Sequence, residues 1–304
     1  MNNRPPEKPE LLALVLTLRP LPDENENRST TAPFWWGDAA HQLFLDGISR
    51  VSPDLAAELH QKNIQHPFNV STLQGRFPER QLDPSDTYEL RFTALSRATA
   101  AALLDCTAPG GAFAVGSPVK LDYRPFQVEK VALDGAAHPM AGMTDYQGMA
   151  AGAMLGLTPA PQRVMLAFTS PTNFASNGKL STNKQHIAHP LPDLVFGSLL
   201  DRWNQFAPIA FPNELRIYLQ ECLLLTHFEL RSRSVSISGG QQIGMLGRAT
   251  FKTRNYDRYW MSLVSALADF AFFAGIGAKT AAGMGQAHRV YPEVVAEDAE
   301  EEKP

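Results

Sequence analysis

Gly275-Ile276-Gly277-Ala278-Lys279-Thr280-Ala281-Ala282-Gly283-Met284-Gly285 joins an apolar segment, Tyr259 to Phe273, to a short run from Gln286 to Tyr291. The first flank has helical length and spacing, and the second suits a strand, so the order is helix, glycine loop, strand. That order excludes a dinucleotide fingerprint, in which the glycines follow a strand and open a helix. It also excludes a Walker loop, because no Gly-Lys-Ser/Thr follows a leading strand at the right interval. Two readings remain open. The glycines can take positive φ and bare their N–H groups to a phosphate, with Lys279 as a point charge. Alternatively, they serve only to turn a helix tightly into a strand.

Working outward, Arg163 to Phe168 alternates as a strand and Asp193 to Phe206 has helical spacing. Strands follow near Leu223 to Ser236 and Gly244 to Lys252. The first half opens with an apolar strand, Leu11 to Arg19. Trp35 to Arg50 then repeats apolar residues at helical intervals. Ser52-Pro53-Asp54 starts a second short helix, with Ser52 as its cap. Phe68 to Leu73 is extended, Tyr88, Leu90 and Phe92 alternate, and Ser96 to Asp105 is an alanine- and leucine-rich helix. Two more strands fall near Val119 to Tyr123 and Gln127 to Leu133. This order suits a ferredoxin-like domain. The small-residue stretch Ala141 to Pro161 separates it from a second α+β half, which places the boundary between residues 134 and 162.

The chain has 304 residues and 44% hydrophobic content, enough to bury two ordinary cores. Its two cysteines, Cys106 and Cys222, are too few for a disulfide scaffold and point to a reducing, cytoplasmic setting. No apolar run reaches the ~20 residues that cross a membrane, and Leu11 to Leu18 lacks a signal-peptide layout. The formal charge of −4 argues mildly against a phosphate partner, but its location changes the argument. Residues 293–304 hold six carboxylates against Lys303, a net of −5, so the remainder carries about +1. A near-neutral body leaves room for a local basic groove.

The glycine loop resembles the C-terminal signature of the Cas6 CRISPR repeat endoribonucleases: a helix, G-x-G-x-K-T/S-x-x-G-x-G, then a strand. Further stretches are similar to the same family. They are His41-Gln42-Leu43-Phe44-Leu45-Asp46-Gly47-Ile48, Pro53-Asp54-Leu55-Ala56-Ala57-Glu58-Leu59-His60 and Pro67-Phe68-Asn69-Val70-Ser71-Thr72-Leu73. In the middle lie Phe168-Thr169-Ser170-Pro171-Thr172-Asn173-Phe174 and the run from Pro190 to Leu200. Order and spacing match from about residue 11 to 292. The resemblance implies an α+β protein of tandem ferredoxin-like (RRM-like) domains, each an antiparallel sheet with packed helices. Residues 1–140 would form the first domain and 141–292 the second, with 293–304 an acidic tail. It implies metal-independent cleavage of CRISPR precursor RNA within repeats, with no cofactor. A non-catalytic RNA-binding subunit of a CRISPR ribonucleoprotein is the alternative, and an α+β protein-interaction module a third.

Cleavage of that kind uses the 2′-hydroxyl as nucleophile and leaves a 2′,3′-cyclic phosphate and a 5′-hydroxyl. It needs a base, an acid and positive charge on the phosphate. Histidine suits the proton transfers. His60 occupies the L-H position after P-x-L-A at which family members often place the catalytic histidine, so it ranks first. His41 competes, because members vary in which helix supplies the imidazole. His66 stands where some members have a phosphate-steadying lysine, and Arg50 falls near the family's tyrosine position. Arg50 and a protonated His66 can act electrostatically, but arginine cannot serve as a base at neutral pH. His186 and His189 lack the further ligands that a metal site needs.

For RNA contact, Arg231 and Arg233 alternate on one expected strand, and Arg248, Lys252 and Arg254 recur in register on the next. Such a strip can follow an RNA backbone, or it can be the ordinary charged face of a sheet. With the resemblance, the RNA-binding set also takes in Gly275, Gly277, Lys279, Thr280, Gly283 and Gly285. The implied partners are CRISPR repeat RNA and other CRISPR effector subunits, with a homodimer left open and no membrane.

Overall fold

β1 (Leu11–Pro20) is apolar along nearly its whole length because both of its faces are covered. Alternate strand residues point to opposite sides, so Leu12, Leu14, Leu16 and Leu18 enter one core while Leu11 and Ala13 enter another. A computed structural model describes residues 9–22, 31–61, 65–176, 185–237 and 240–291. The acidic segment 293–304 therefore lies outside the described residues.

After β1 come α1 (Gly37–Val51), α2 (Pro53–Leu59), β2 (Phe68–Val70), β3 (Tyr88–Ala94) and α3 (Arg97–Thr107). β4 (Pro118–Leu121), β5 (Arg124–Ala132) and β6 (Gly142–Thr144) complete the first sheet. Its order is β2-β3-β1-β5-β4, with β6 also pairing β1, and every pairing is antiparallel. α1 and α3 cover one face through Phe44, Ile48, Ala100 and Leu103.

The second half runs α4 (Tyr146–Met154), β7 (Arg163–Thr172), β8 (Phe174–Ser176), β9 (Gln185–Ile187), α5 (Pro192–Phe206) and α6 (Leu215–Glu221). It ends with β10 (Leu223–Ile237), β11 (Gly240–Thr253), α7 (Arg258–Ala274) and β12 (Ala287–Val290). The second sheet is antiparallel in the order β10-β11-β7-β12, and β8 and β9 form a separate hairpin. The molecule is thus a mixed α+β fold of antiparallel sheets and packed helices, of the ferredoxin-like kind. Among the described residues, no helix is long and apolar enough to cross a membrane.

The segment between the halves is more ordered than its small residues suggest. β6 returns to the first sheet, whereas α4 packs on α7 of the second half. Asp145 caps α4 by accepting a hydrogen bond from the Gly148 N–H. Ser52 does stand at the N-cap of α2, but its side chain makes no capping bond, and Pro53 fills the first helical position.

The end of α7 locks the two halves together. A helix leaves its last carbonyls without internal partners. Here Arg91 donates to Phe272 O (2.6 Å), Asn69 to Phe273 O (2.6 Å), Thr93 to Phe273 O (2.8 Å) and Arg202 to Ala274 O (2.8 Å). Three of these four side chains come from the first sheet. Asn69 also donates to Thr93 Oγ1 and accepts from Arg202. Asn69→Ala strands buried polar groups on both sides, and a stability loss of about 1–3 kcal/mol is expected. Urea denaturation checks this, and an unchanged midpoint would remove the joint from the account.

Candidate active site

α1 begins at Gly37, and its buried face, Ala40, Phe44, Gly47 and Ile48, rests on the first sheet. Gly37 allows a close approach: a Cβ there would lie 1.8 Å from Ala282 O in the glycine loop. The Trp35 indole donates to that same carbonyl at 2.9 Å. One turn into α1, half-buried His41 meets the neighbouring residue of the loop, with Nδ1 2.8 Å from Ala281 O. A carbonyl oxygen only accepts, so Nδ1 carries the proton, and in the neutral ring Nε2 is left as the basic nitrogen. Phe68 flanks the ring at 5.5 Å between centroids and itself stacks on Phe44 at 4.1 Å.

His66 lies edge-on to His41 with ring centroids 6.0 Å apart, and its buried Nδ1 has no hydrogen-bond partner among the described residues. Burial, then the positive fields of His41 and Arg202, push the His66 pKa down. His60 adds a smaller push in the same direction, while the Leu59 carbonyl opposes it. His60 is the exposed C-cap of α2. The fold therefore gathers His41, His60 and His66. Arg50 is separate: nine residues along α1 is two and a half turns, which turns it to the opposite side of the helix. Its charge is felt instead by Cys106 on α3, whose thiol burial pushes up to about 12.

His288 shares the behaviour of His66. Burial, then Arg91 and Arg248, lower its pKa. Both imidazoles resist protonation when folded, so below their ordinary value of 6.5 the unfolded chain binds protons that the folded chain does not. Stability is therefore intact above that value and is lost as pH falls below it. Melting curves from pH 8 to 5 should show this decline, and the double variant His66→Gln/His288→Gln should flatten it. Equal slopes in the two proteins would refute the assignment.

The glycine loop is built for close packing. Gly275, Gly277, Gly283 and Gly285 all have positive φ, and a Cβ at Gly277 would sit 2.2 Å from Asn173 O. Their N–H groups are already engaged. Gly275 bonds to Ala271 O, Gly277 to Ser198 Oγ, Gly283 to Thr280 O and Gly285 to Pro171 O. The reading in which these four N–H groups face a phosphate does not fit that geometry. Thr280 is buried, and Lys279 is exposed in a left-handed conformation.

On the second sheet, Arg248 pairs across from Glu229, and Lys252 from Leu224. Counting by twos from Glu229 puts Arg231 and Arg233 on the face shared by Arg248 and Lys252. Arg254 follows just beyond β11, its backbone N–H bonded to Cys222 O. Arg163 pairs with Lys252 from β7 and extends the basic face, a position the sequence reading did not single out. Arg202 was also missed. Its signal was a charged residue in register with the apolar face Val195, Leu199 and Phe206. Among the described residues, no group of three or more His, Cys, Asp or Glu could hold a metal ion.

Residues 166–287 match the family model of the CRISPR-associated endoribonuclease Cas6. CRISPR-associated endoribonucleases Cas6 of two Mycobacterium tuberculosis strains are 30% identical over 135 residues, a stretch covering 44% of this chain and 40% of each relative. A solved Cas6 product complex is 27% identical with a TM-score of 0.77, covering 92% of this chain and 99% of that one. Thermus thermophilus Cas6 is 27% identical with a TM-score of 0.67, covering 92% and 98%. The matched helix–loop–strand and this near full-length structural likeness agree: the chain is homologous to the Cas6 family of CRISPR-associated endoribonucleases.

Proposed function

We propose that this chain cuts CRISPR repeat RNA without a metal, with His41 as the general base. The bond from His41 Nδ1 to Ala281 O carries the assignment, because it fixes the tautomer and aims Nε2 away from the loop. Nε2 takes the proton of a ribose 2′-hydroxyl, and the 2′ oxygen attacks the adjacent phosphorus. The bond from phosphorus to the 5′ oxygen breaks, and that oxygen is protonated as it leaves. The products are a 2′,3′-cyclic phosphate and a 5′-hydroxyl. His60, exposed and near enough to His66 for its charge to be felt there, is the acid in this scheme. His66 suits that role less, since its surroundings disfavour its charged form. Lys279 is the exposed loop cation available to the phosphate.

The two sheets support the tandem ferredoxin-like reading. β2-β3-β1-β5 and β10-β11-β7-β12 each follow the same strand order, with crossover helices α1 and α3 in one half and α5 and α7 in the other. The basic face of Arg163, Arg231, Arg233, Arg248 and Lys252 is the RNA-binding surface in this account. Phosphate contacts of that kind make binding fall steeply with salt.

The test is incubation with CRISPR repeat transcripts in EDTA, followed by end-group analysis of the fragments. Cyclic phosphate and 5′-hydroxyl ends are expected. Cleavage abolished by EDTA would sink the metal-free chemistry, and tight binding without any cutting would favour a non-catalytic subunit.

A further inference from the structure

We infer that Arg202, through Thr280, is a positioning residue that holds the loop carbonyl on which His41 is oriented. This rests on the assignment of His41 as base. Arg202 lies on α5, 7% exposed, within an otherwise apolar helix face. Its guanidinium donates to Asn69 Oδ1 at 3.1 Å, to Ala274 O at 2.8 Å and to Thr280 Oγ1 at 2.6 Å. All three acceptors are neutral oxygens. Burial lowers its pKa to about 10, so it keeps its charge at neutral pH.

A buried cation without a carboxylate is costly unless something else compensates. The compensation here is geometric. Ala274 is the last residue of α7, where aligned peptide dipoles place partial negative charge. Thr280 opens the short 3₁₀ turn Thr280–Ala282, whose middle residue supplies the carbonyl to His41. Asn69 belongs to β2, next to Phe68, which flanks the His41 ring. One fork therefore fixes the helix end before the loop, the turn within it and the strand under the imidazole. A well-packed leucine or methionine at 202 could fill the volume but could not tie these three points together.

The consequence concerns rate more than affinity. Thr280 is buried and Arg202 nearly so, so neither contributes surface to an RNA groove. Loosening the turn lets Ala281 O drift, frees the imidazole to rotate and exchange tautomers, and leaves the basic face untouched.

The experiment uses the full chain and a 5′-labelled CRISPR repeat RNA that the unsubstituted protein cleaves in EDTA. Single-turnover rates and RNA dissociation constants are measured for Thr280→Val, Thr280→Ser, Arg202→Gln, Arg202→Lys and His41→Ala. Thr280→Val and Arg202→Gln should slow cleavage by roughly tenfold to a hundredfold while the dissociation constant moves less than about threefold. Thr280→Ser, which restores the acceptor, should recover most of the rate, and Arg202→Lys part of it. Imidazole ¹⁵N spectra should report the Nδ1-protonated His41 tautomer in the unsubstituted protein and tautomer exchange in Thr280→Val. That variant is nearly isosteric, so it decides the matter if Arg202→Gln fails to fold. Unchanged rates in folded Thr280→Val and Arg202→Gln, beside loss of cleavage in His41→Ala, would overturn the positioning role alone. Undiminished cleavage in His41→Ala would overturn the base assignment, and this inference with it.

Discussion

His41→Ala is expected to lower the single-turnover cleavage rate by about 10²–10⁴-fold, the range typical of losing a positioned general base. RNA affinity should change little, because His41 is tied to the loop and is not one of the cations of the Arg231, Arg248 and Lys252 face. The protein should also stay folded: the ring is half-buried at the edge of the α1 contact, and the core beneath it is made by Phe44 and Phe68. His60→Ala should be milder, since water can deliver a proton to a leaving oxygen more readily than it can replace an oriented base. The measurement is a burst of labelled repeat RNA with excess protein, at fixed pH, with binding followed separately. If His41→Ala cleaves as fast as the unsubstituted protein while His60→Ala does not, His41 has no part in the proton transfers and His60 is the base.

That ranking could not be reached from sequence spacing. The bond that distinguishes His41 comes from Ala281, 240 positions away, and no local pattern encodes it. The glycine loop was half legible. Four glycines announce positive φ, and all four have it. Where their N–H groups point depends on Ser198, Pro171 and the end of α7, which only the folded chain brings there. Arg50 is a different case, because its nine-residue separation from His41 on one helix already implied opposite faces.

The longer elements were readable because period and burial agree in them. β1 reads as a continuous apolar run since both faces meet a core, and α7 as a long apolar helix since nearly all of it is enclosed. α4 was hidden by its Gly and Ala content, which carries little amphipathic contrast, and α6 by its seven-residue length. The basic face was legible as alternation on β10 and β11. Its continuation to Arg163 depends on β11 pairing with β7, a long-range register.

Gly37→Ala is the second substitution expected to have a large effect, and it acts through backbone proximity alone. Gly37 does not need a positive φ, so alanine fits its own conformation and even favours the helix. The obstacle is Ala282 O at 1.8 Å from the added Cβ, with Trp35 Nε1 at 2.4 Å. Neither can yield easily, since the indole is bonded to that carbonyl and the preceding carbonyl holds His41. Either α1 or the turn must move. Overpacking of this kind costs about 1–3 kcal/mol of stability. The displacement falls directly on the His41 contact, and a shift near 1 Å there should cost roughly a hundredfold in cleavage rate. Gly152→Ala is the matched comparison. It also sits in a helix, α4, but has open space around it, so it should gain about 0.5–1 kcal/mol and leave cleavage unchanged. A Gly37→Ala protein that melts and cleaves like the parent would mean that α1 and the loop are not held as closely as this contact requires.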